Sequence, residues 1–576
     1  MKNFRRLLGY AKKYWFQILL ALVCALVSSL GVVAATYLNG VAIDYIHGPG
    51  AVDFPGLIQI LIGLGAIYVI SSLFQWFISR YANKVSYLVV RDMRRDTFHN
   101  LNLQPLSYYD NHPHGDIISR FTNDLDSVSD AMAVSITNAF SGIVTLISAV
   151  AFMFYLNVTI TVTILVLTPI CLIVAYFITK FSQKTFTRQQ QSVGELSSFA
   201  AEIVGNQKIV KAFGREGLEC EEFNNISDRL RKTATHAMFA SAMVNPSTRF
   251  VNNICYIAVG IAGGIIAVTQ GVSVGIISSF LIYSAQFAKP FNEISGITAQ
   301  LQTAFASLER IFAVIDAPPQ TSDIPDAMEL HDCKGHVCFD HVSFSYRSDQ
   351  KLIQDFCFEA KPGQTIAIVG PTGCGKTTLV NLLMRFYEVT DGAILIDGID
   401  TRRITRDSLR QSFGMVLQDT WLMGGSIREN LTYGKPDATQ EEIEQAAKAA
   451  HAHGFITRLK YGYDTVVSQE GGQLSQGQRQ LLTIARAMLA DPEMLILDEA
   501  TSSIDTLTEI RIQKAFLKLM EGRTSFVIAH RLSTIVNADQ ILVMNQGNIV
   551  EQGTHTQLLE KKGFYYELYN SQYANS

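Results

Sequence analysis

Charged residues are scarce in this sequence: 17% of its 576 residues are Asp, Glu, Lys or Arg, against 48% that are hydrophobic. A chain of this length and polarity exceeds one ordinary domain and implies several domains or a large membrane part. A surplus of positive charge is missing too. The 47 Lys and Arg face 51 Asp and Glu, a net charge of -4, which argues against nucleic acid as a partner and is too small for a solvating acidic tail. Paired cysteines are also absent. Cys24, Cys171, Cys220, Cys255, Cys333, Cys338, Cys357 and Cys374 are scattered with no CxxC, which argues against zinc and disulfide frameworks. Cys24, Cys171 and Cys255 lie in apolar runs, where a thiol packs as a small hydrophobe.

The missing charge is concentrated. None occurs from Tyr14 to Ile43, Phe54 to Ser79, Ala131 to Thr179, or Phe250 to Ala288. A membrane span needs about 20 apolar residues, so the first two stretches hold one helix each and the last two hold a pair each, about six in all. Asn157 and Gln270-Gly271 offer the turn chemistry for the paired stretches. Lys2, Arg5, Arg6, Lys12 and Lys13 precede the first span, whereas the next connection offers only Asp44, His47 and Asp53. This bias places the N-terminus and the long charged connections, Arg80 to Asp130 and Lys180 to Arg249, on the cytoplasmic side. The first run is too long for a signal-peptide core and is expected to be retained. The inside connections are expected to continue the spans as helical spokes. His112 and His114 lack an evident third metal ligand and are expected in a surface turn. EIVGNQKIVKAFGREGLECEEF can dock on a partner domain or present a solvated face.

After Ala317 no run is long enough to cross a bilayer, and Pro318-Pro319 with the polar stretch through Asp326 predicts a linker. Beyond it, TIAIVG, AILIDG and EMLILDEA alternate with helical patterns, which predicts an α/β domain with a largely parallel core. GPTGCGKTT, comprising Gly370, Pro371, Thr372, Gly373, Cys374, Gly375, Lys376, Thr377 and Thr378, fills the G-x-x-x-x-G-K-[ST] pattern between an apolar strand and a helix. Its glycines let backbone amides wrap a phosphate chain at a helix N-terminus. Lys376 is positioned to neutralise the β and γ phosphates of ATP, and Thr377 to offer a hydroxyl to Mg²⁺. Thiol reagents at Cys374 are expected to block nucleotide binding. MLILDEATSS ends in Asp498, expected to hold Mg²⁺ through water, and Glu499, expected to orient or deprotonate the attacking water. Ser475 and Gln478 fit an S-x-x-Q capping box. That start is either only a cap, or a second helix N-terminus at which Ser475 and Gly477 meet a phosphate.

GPTGCGKTT, LSQGQ and LILDEATSSID, in that order, resemble the nucleotide-binding domain of ATP-binding cassette transporters, and the resemblance extends over the whole chain. YYDNHPHGDIISRFTNDLD and KIVKAFGREGLECEEF resemble that family's intracellular loops. The resemblance implies that Tyr346 stacks on adenine, that Gln418 senses Mg²⁺ and contacts the membrane domain, and that His530 is the switch histidine on the γ-phosphate. Ser502 to Asp505 resembles the loop that crosses the dimer interface, and Glu470 the segment near the intracellular helices. It implies head-to-tail pairing, with Ser475, Gly477 and Gln478 serving ATP at the partner's loop. Gln476 departs from the commoner first glycine of LSGGQ. Glu499 and His530 match the hydrolysis-competent pattern, which fits both a homodimer and the competent member of a heterodimer; LSQGQRQLLTIARAMLADPEMLILDEATSS resembles the competent subunits of bacterial heterodimeric multidrug exporters, so a second half-transporter in a heterodimer is favoured over a homodimer.

The expected fold is therefore multidomain: an all-α transmembrane domain of about six spans over 1–317, a linker over 318–335, and an α/β P-loop nucleotide-binding domain over 336–576. The expected function is an ATP-hydrolysing half-transporter in the cytoplasmic membrane that exports a small amphipathic drug or lipid by alternating access. Its cofactors are ATP and Mg²⁺, and its surroundings the lipid bilayer. The catalytic residues are Glu499 and His530, and the metal ligands Thr377, Gln418 and Asp498. The alternatives are an importer of exporter-like fold and a non-transporting, nucleotide-gated membrane protein. Asn138, Asn252, Asn253 and Gln286 are expected to line a cavity or bond between helices, and Lys289 and Glu293 are candidate pathway charges.

Overall fold

The computed structural model describes residues 2–46, 52–347, 352–417, 420–468, 474–498, 504–529 and 532–572. It comprises two compact units, Met1–Leu103 with Pro113–Pro318, and Gln104–His112 with Pro319–Ser576.

The first unit is helical. A short amphipathic helix, Lys2–Lys12, precedes Trp15–Asp44 and Phe54–Asn102. The last has 49 residues, about 73 Å at 1.5 Å per residue, and so outruns the ~30 Å hydrocarbon layer by more than a factor of two. Its apolar half gives way to charge at Arg80, which makes it a spoke as well as a span. Among the described residues, Trp15–Asp44, Phe54–Asn102 and His114–Leu156 are long and apolar enough to cross a membrane, and Tyr256–Gln270 and Val274–Phe287 are shorter apolar segments. The paired stretches break at the expected turns. Asn157 is extended and its side chain accepts from the amides of Thr159 and Ile160 at 3.0 and 3.2 Å, capping Val158–Gly205. Gly271 closes Glu216–Gln270 at φ 70°, a left-handed cap that glycine adopts without a Cβ clash.

Small side chains and hydrogen bonds hold these helices where the apolar surroundings offer little drive for association. Gly40 and Gly275 approach so closely that a Cβ on Gly275 would meet the Gly40 carbonyl oxygen at 2.0 Å. Around this crossing Asp44 accepts from Ser273 Oγ and the Gly275 amide, both at 2.7 Å, and the Tyr283 hydroxyl donates to the Val33 carbonyl at 2.7 Å. Gln286 joins the set by donating to Thr36 Oγ1 at 2.7 Å, so of its two expected roles it performs the helix-to-helix bond. The side chains of Asn252 and Glu293 lie outside the described residues.

Beyond the apolar segments the ties become ionic. Asp92 accepts from Tyr14 at 2.7 Å and Lys13 at 3.0 Å, which anchors the junction after the first helix. Burial by itself would raise this carboxyl's pKa, but the hydrogen bonds from Tyr14, Arg91 and Lys13 outweigh it and hold the group well below the usual carboxylate range. Asp124 receives Arg310 Nε at 2.8 Å and Ser307 Oγ at 2.8 Å, joining the polar helix after Pro113 to the last helix of the unit, Val274–Ile315.

The second unit contains two main sheets. The larger, six-stranded one runs in the order Asn548–Gly553, Gln540–Asn545, Thr365–Val369, Thr524–Ile528, Met494–Asp498, Phe413–Val416. Only the first pair is antiparallel. Thr524–Ile528 is buried at every position, the pattern of a strand covered on both faces. TIAIV and MLILD lie in this parallel core as expected, but AILID does not. It belongs to the four-stranded antiparallel sheet ordered Ile353–Ala360, Val337–Phe344, Asp391–Ile396, Ile399–Asp400. Its partly exposed pattern suits a sheet with one wet face, a distinction an apolar run alone does not carry.

The polar stretch after Pro318 is docked on its unit. Asp323 and Glu388 together accept from Arg385 and Arg406, whose side chains are only 6% and 8% exposed. Met328 pairs through its backbone with Arg403 and Thr405 at 2.8 and 2.9 Å.

Candidate nucleotide site

The glycine loop leaves the buried strand Thr365–Val369 at its C-terminal end and enters the helix Lys376–Leu383, the position where open α/β sheets take ligands. Gly373 and Gly375 hold φ of 81° and 104°, which turns successive amides inward as an anion nest. Gly370 is set by contact: a Cβ there would lie 2.2 Å from the Met544 carbonyl oxygen and 2.7 Å from Cys374 Sγ. Lys376 folds back over the loop, donating to the carbonyls of Gly370 at 2.8 Å and Pro371 at 3.1 Å. Its charge is thereby held at the mouth of the nest. Thr377 is exposed beside it, and Thr378 is buried in the helix. Cys374 is buried, with 3% exposure, so a bulky thiol reagent must open the loop before it reacts.

Asp498 ends the strand Met494–Asp498, level with Ile528, which in turn pairs with Ile368 just before the loop. The carboxylate and the P-loop therefore share one edge of the sheet. Gln418, Glu470, Glu499, Ser502 and His530 lie outside the described residues.

Ser475 caps the helix Gln476–Ala490: its hydroxyl accepts from the Gln478 amide at 3.2 Å while Gln478 Oε1 accepts from the Ser475 amide at 2.9 Å. The reciprocal box read from the sequence is formed. Gly477 is buried, and a Cβ there would meet Thr508 Cγ2 at 2.4 Å, so close packing on the helix Thr506–Met520 is one reason for a glycine. Asp505 caps that second helix by accepting from the Thr508 amide at 3.0 Å.

Tyr346 stands next to the P-loop helix. Its hydroxyl is 3.3 Å from Thr378 Oγ1, and its half-exposed ring meets Phe344 and Tyr387 edge-on at 4.9 Å. Its exposure leaves ring surface that a planar ligand can cover. Tyr387, which sequence reasoning passed over, donates to Asp110 in the short helix Leu106–Asp110. Burial first, and then the neighbouring Asp110 carboxylate, push the Tyr387 phenol above its ordinary pKa, so it stays a donor well into alkaline pH. The only local cue was the run YYD at 108–110. His112 turns inward to the Tyr108 carbonyl at 2.7 Å and stacks on that ring at 4.3 Å, in keeping with a turn.

A Walker-type loop on a parallel sheet, attached in one chain to long apolar helices, defines an ATP-binding membrane protein. The family models agree segment by segment: ABC transporter transmembrane region matches residues 18–291, and ABC transporter matches residues 353–502. The chain belongs to the ABC transporter family and is a half-transporter of the exporter type, in which a helical membrane part is coupled to an ATPase domain. It is 42% identical over 525 residues to the fatty acid ABC transporter ATP-binding/permease protein of Mycobacterium tuberculosis, covering 91% of this chain and 83% of that one. It is 35% identical over 576 residues to the ATP-dependent lipid A-core flippase of Syntrophus aciditrophicus, covering 100% and 95%. The structure of a bacterial Atm1-family ABC exporter with ATP bound matches with a TM-score of 0.78 at 27% identity, over 98% of both chains. Half-transporters of this family work as dimers.

Proposed function

We propose that this chain exports an amphipathic, lipid-like substrate or drug across the cytoplasmic membrane, with its N-terminus and ATPase domain cytoplasmic, as the hydrolysis-competent member of a heterodimer. Residues 1–317 form the membrane domain of about six spans, 318–335 the linker and 336–576 the ATPase domain. The observation that supports the reading most is the P-loop, whose nest and folded-back Lys376 are shaped for a triphosphate. Relatives whose names specify fatty acid and lipid A-core support a substrate with an apolar tail.

In this reading Tyr346 stacks on adenine, and the amides from Gly370 through Thr378 with the Lys376 ammonium hold the phosphates. The Thr377 hydroxyl, the Asp498 carboxylate and the Gln418 amide oxygen are an all-oxygen donor set that suits Mg²⁺. An ion held by these oxygens would offset the negative charge that develops on the phosphates. Glu499 orients the attacking water and accepts its proton, and His530 contacts the γ-phosphate. Ser475, Gly477 and Gln478 serve the ATP held by the partner's loop, which makes closure of the two ATPase domains depend on nucleotide.

The test is Mg-ATPase of the chain in lipid beside Glu499→Gln, where loss of general-base help predicts a fall of at least ~100-fold. Unchanged turnover in Glu499→Gln sinks the assignment. ATP binding without turnover in the chain alone, restored by a co-expressed second half, supports the heterodimer, and full turnover alone rejects it. In inverted vesicles, external ATP should drive substrate accumulation inside; an importer gives the opposite direction.

A further inference from the structure

The antiparallel sheet carries a second cluster of chemistry, on exposed residues outside the glycine loop. Its origin is a double irregularity in the pairing of Val337–Phe344 with Ile353–Ala360. Phe339 pairs with Phe358 and Val342 with Phe356, so Asp340 and His341 together oppose Cys357. The next step compensates: Val342 pairs with Phe356 and Phe344 with Ile353, which leaves Gln354 and Asp355 opposite Ser343. Bulges re-aim side chains that regular alternation would separate. His341 and Asp355 both adopt left-handed backbone, φ 49° and 50°, a region that His and Asp tolerate better than most residues. The next strand locks the first bulge, since a Cβ on Gly392 would meet the His341 carbonyl oxygen at 2.2 Å.

One ligand atom each from His341, Asp355 and Cys357 thus lie within 4.8 Å of one another, all on exposed residues. His341 Nδ1 and Asp355 Oδ1 are 2.5 Å apart, and Asp340 Oδ1 is 4.0 Å from His341 Nε2. We infer that His341, Asp355 and Cys357 form a surface site for a borderline-soft divalent cation of the Zn²⁺ class, with water as fourth ligand. Imidazole, thiolate and carboxylate are the donors such ions take, and a tetrahedral shell at ~2.0–2.3 Å places its ligands about 3.3–3.8 Å apart. The present cluster needs an adjustment of about 1 Å to reach that shell, within reach of exposed side chains. The nearby carboxylates of Asp355, Asp340 and Asp391 add a negative field that favours a cation. The bound ion would bridge the two strands on either side of the segment that carries Tyr346.

The test uses Co²⁺ as probe on the full-length purified protein, followed by displacement with Zn²⁺. The expected result is one equivalent bound per chain with tetrahedral ligand-field bands and a sulfur-to-cobalt charge-transfer band. Cys357→Ser should abolish that band, whereas Cys220→Ser, at another exposed cysteine, should leave it. His341→Asn, chosen because Asn tolerates the same backbone, should weaken Zn²⁺ binding at least ~10-fold. No charge-transfer band, a band that survives Cys357→Ser, or unchanged Zn²⁺ affinity in His341→Asn would each overturn the site and leave a plain surface ion pair. None of these readouts depends on ATP turnover, so the result is independent of the transport reading.

Discussion

Two glycine-bearing helix starts in the ATPase domain use the same backbone amides in opposite ways. At the P-loop, Gly373 and Gly375 keep positive φ, and the helix after them has no side-chain cap. Its amides face outward, ready for an anion. At Gln476–Ala490 the box between Ser475 and Gln478 occupies the amides of those two residues, and Gly477 is packed under Thr508. The first start is a cradle within one chain, whereas the second is a closed and supported helix end whose ligand, in the proposed reading, comes from another subunit. A helix N-terminus favours anions in both places. What differs is whether the local sequence spends those amides on itself.

The largest expected effect tests the cradle. Lys376→Ala should cut Mg-ATPase at least ~100-fold, the scale of losing one fixed charge stabiliser, while circular dichroism and thermal unfolding show an intact fold. Retained turnover would show that the nest alone holds the phosphates. Gly370→Ala comes next. Its Cβ would press on the backbone carbonyl of Met544 at 2.2 Å, which has no rotamer to yield, so the cost should reach ~1–3 kcal/mol, with lost ATP affinity. Calorimetric unfolding with and without ATP separates the two losses.

Both starts were legible in the sequence. GPTGCGKTT and the S-x-x-Q box are local: their chemistry lies within a few residues, and the strand and helix beside them follow the hydrophobic period. The apolar runs and the turns at Asn157 and Gly271 were readable for the same reason. Contacts across long separations were not. Tyr387 and Asp110 are 277 residues apart, and no spacing rule joins them. No spacing rule marks Arg385 and Arg406 as buried, yet Asp323 and Glu388 let both be buried, because a paired guanidinium tolerates what a lone one does not. AILID was assigned to the parallel core because an apolar run does not state which sheet it joins. The bulges around His341 were invisible, since they arise from the register of two strands.

Gly477 separates packing from ligand binding at the second start. Gly477→Ala should destabilise by ~1–3 kcal/mol through overpacking on Thr508, measured as a lower denaturation midpoint at constant slope. Thr508→Ala beside it removes the methyl 2.4 Å from the new Cβ and should restore most of the stability. If ATPase returns with stability, the glycine is there for helix packing. If stability returns and ATPase does not, its open amide is required by the partner's nucleotide.

The smallest effect belongs to Ser475. Ser475→Ala removes the cap and should cost ~1 kcal/mol, whereas Ser475→Asp keeps a good cap and should leave stability within a few tenths of that unit. The two variants part on function. A cap that is only a cap predicts normal turnover for Ser475→Asp. A serine that also meets the partner's phosphate predicts that the added carboxylate, repelled by a like charge, lowers turnover at least ~10-fold in a protein as stable as the original. Turnover measured on assembled dimers therefore decides whether the closed helix end is architecture alone or half of a shared site.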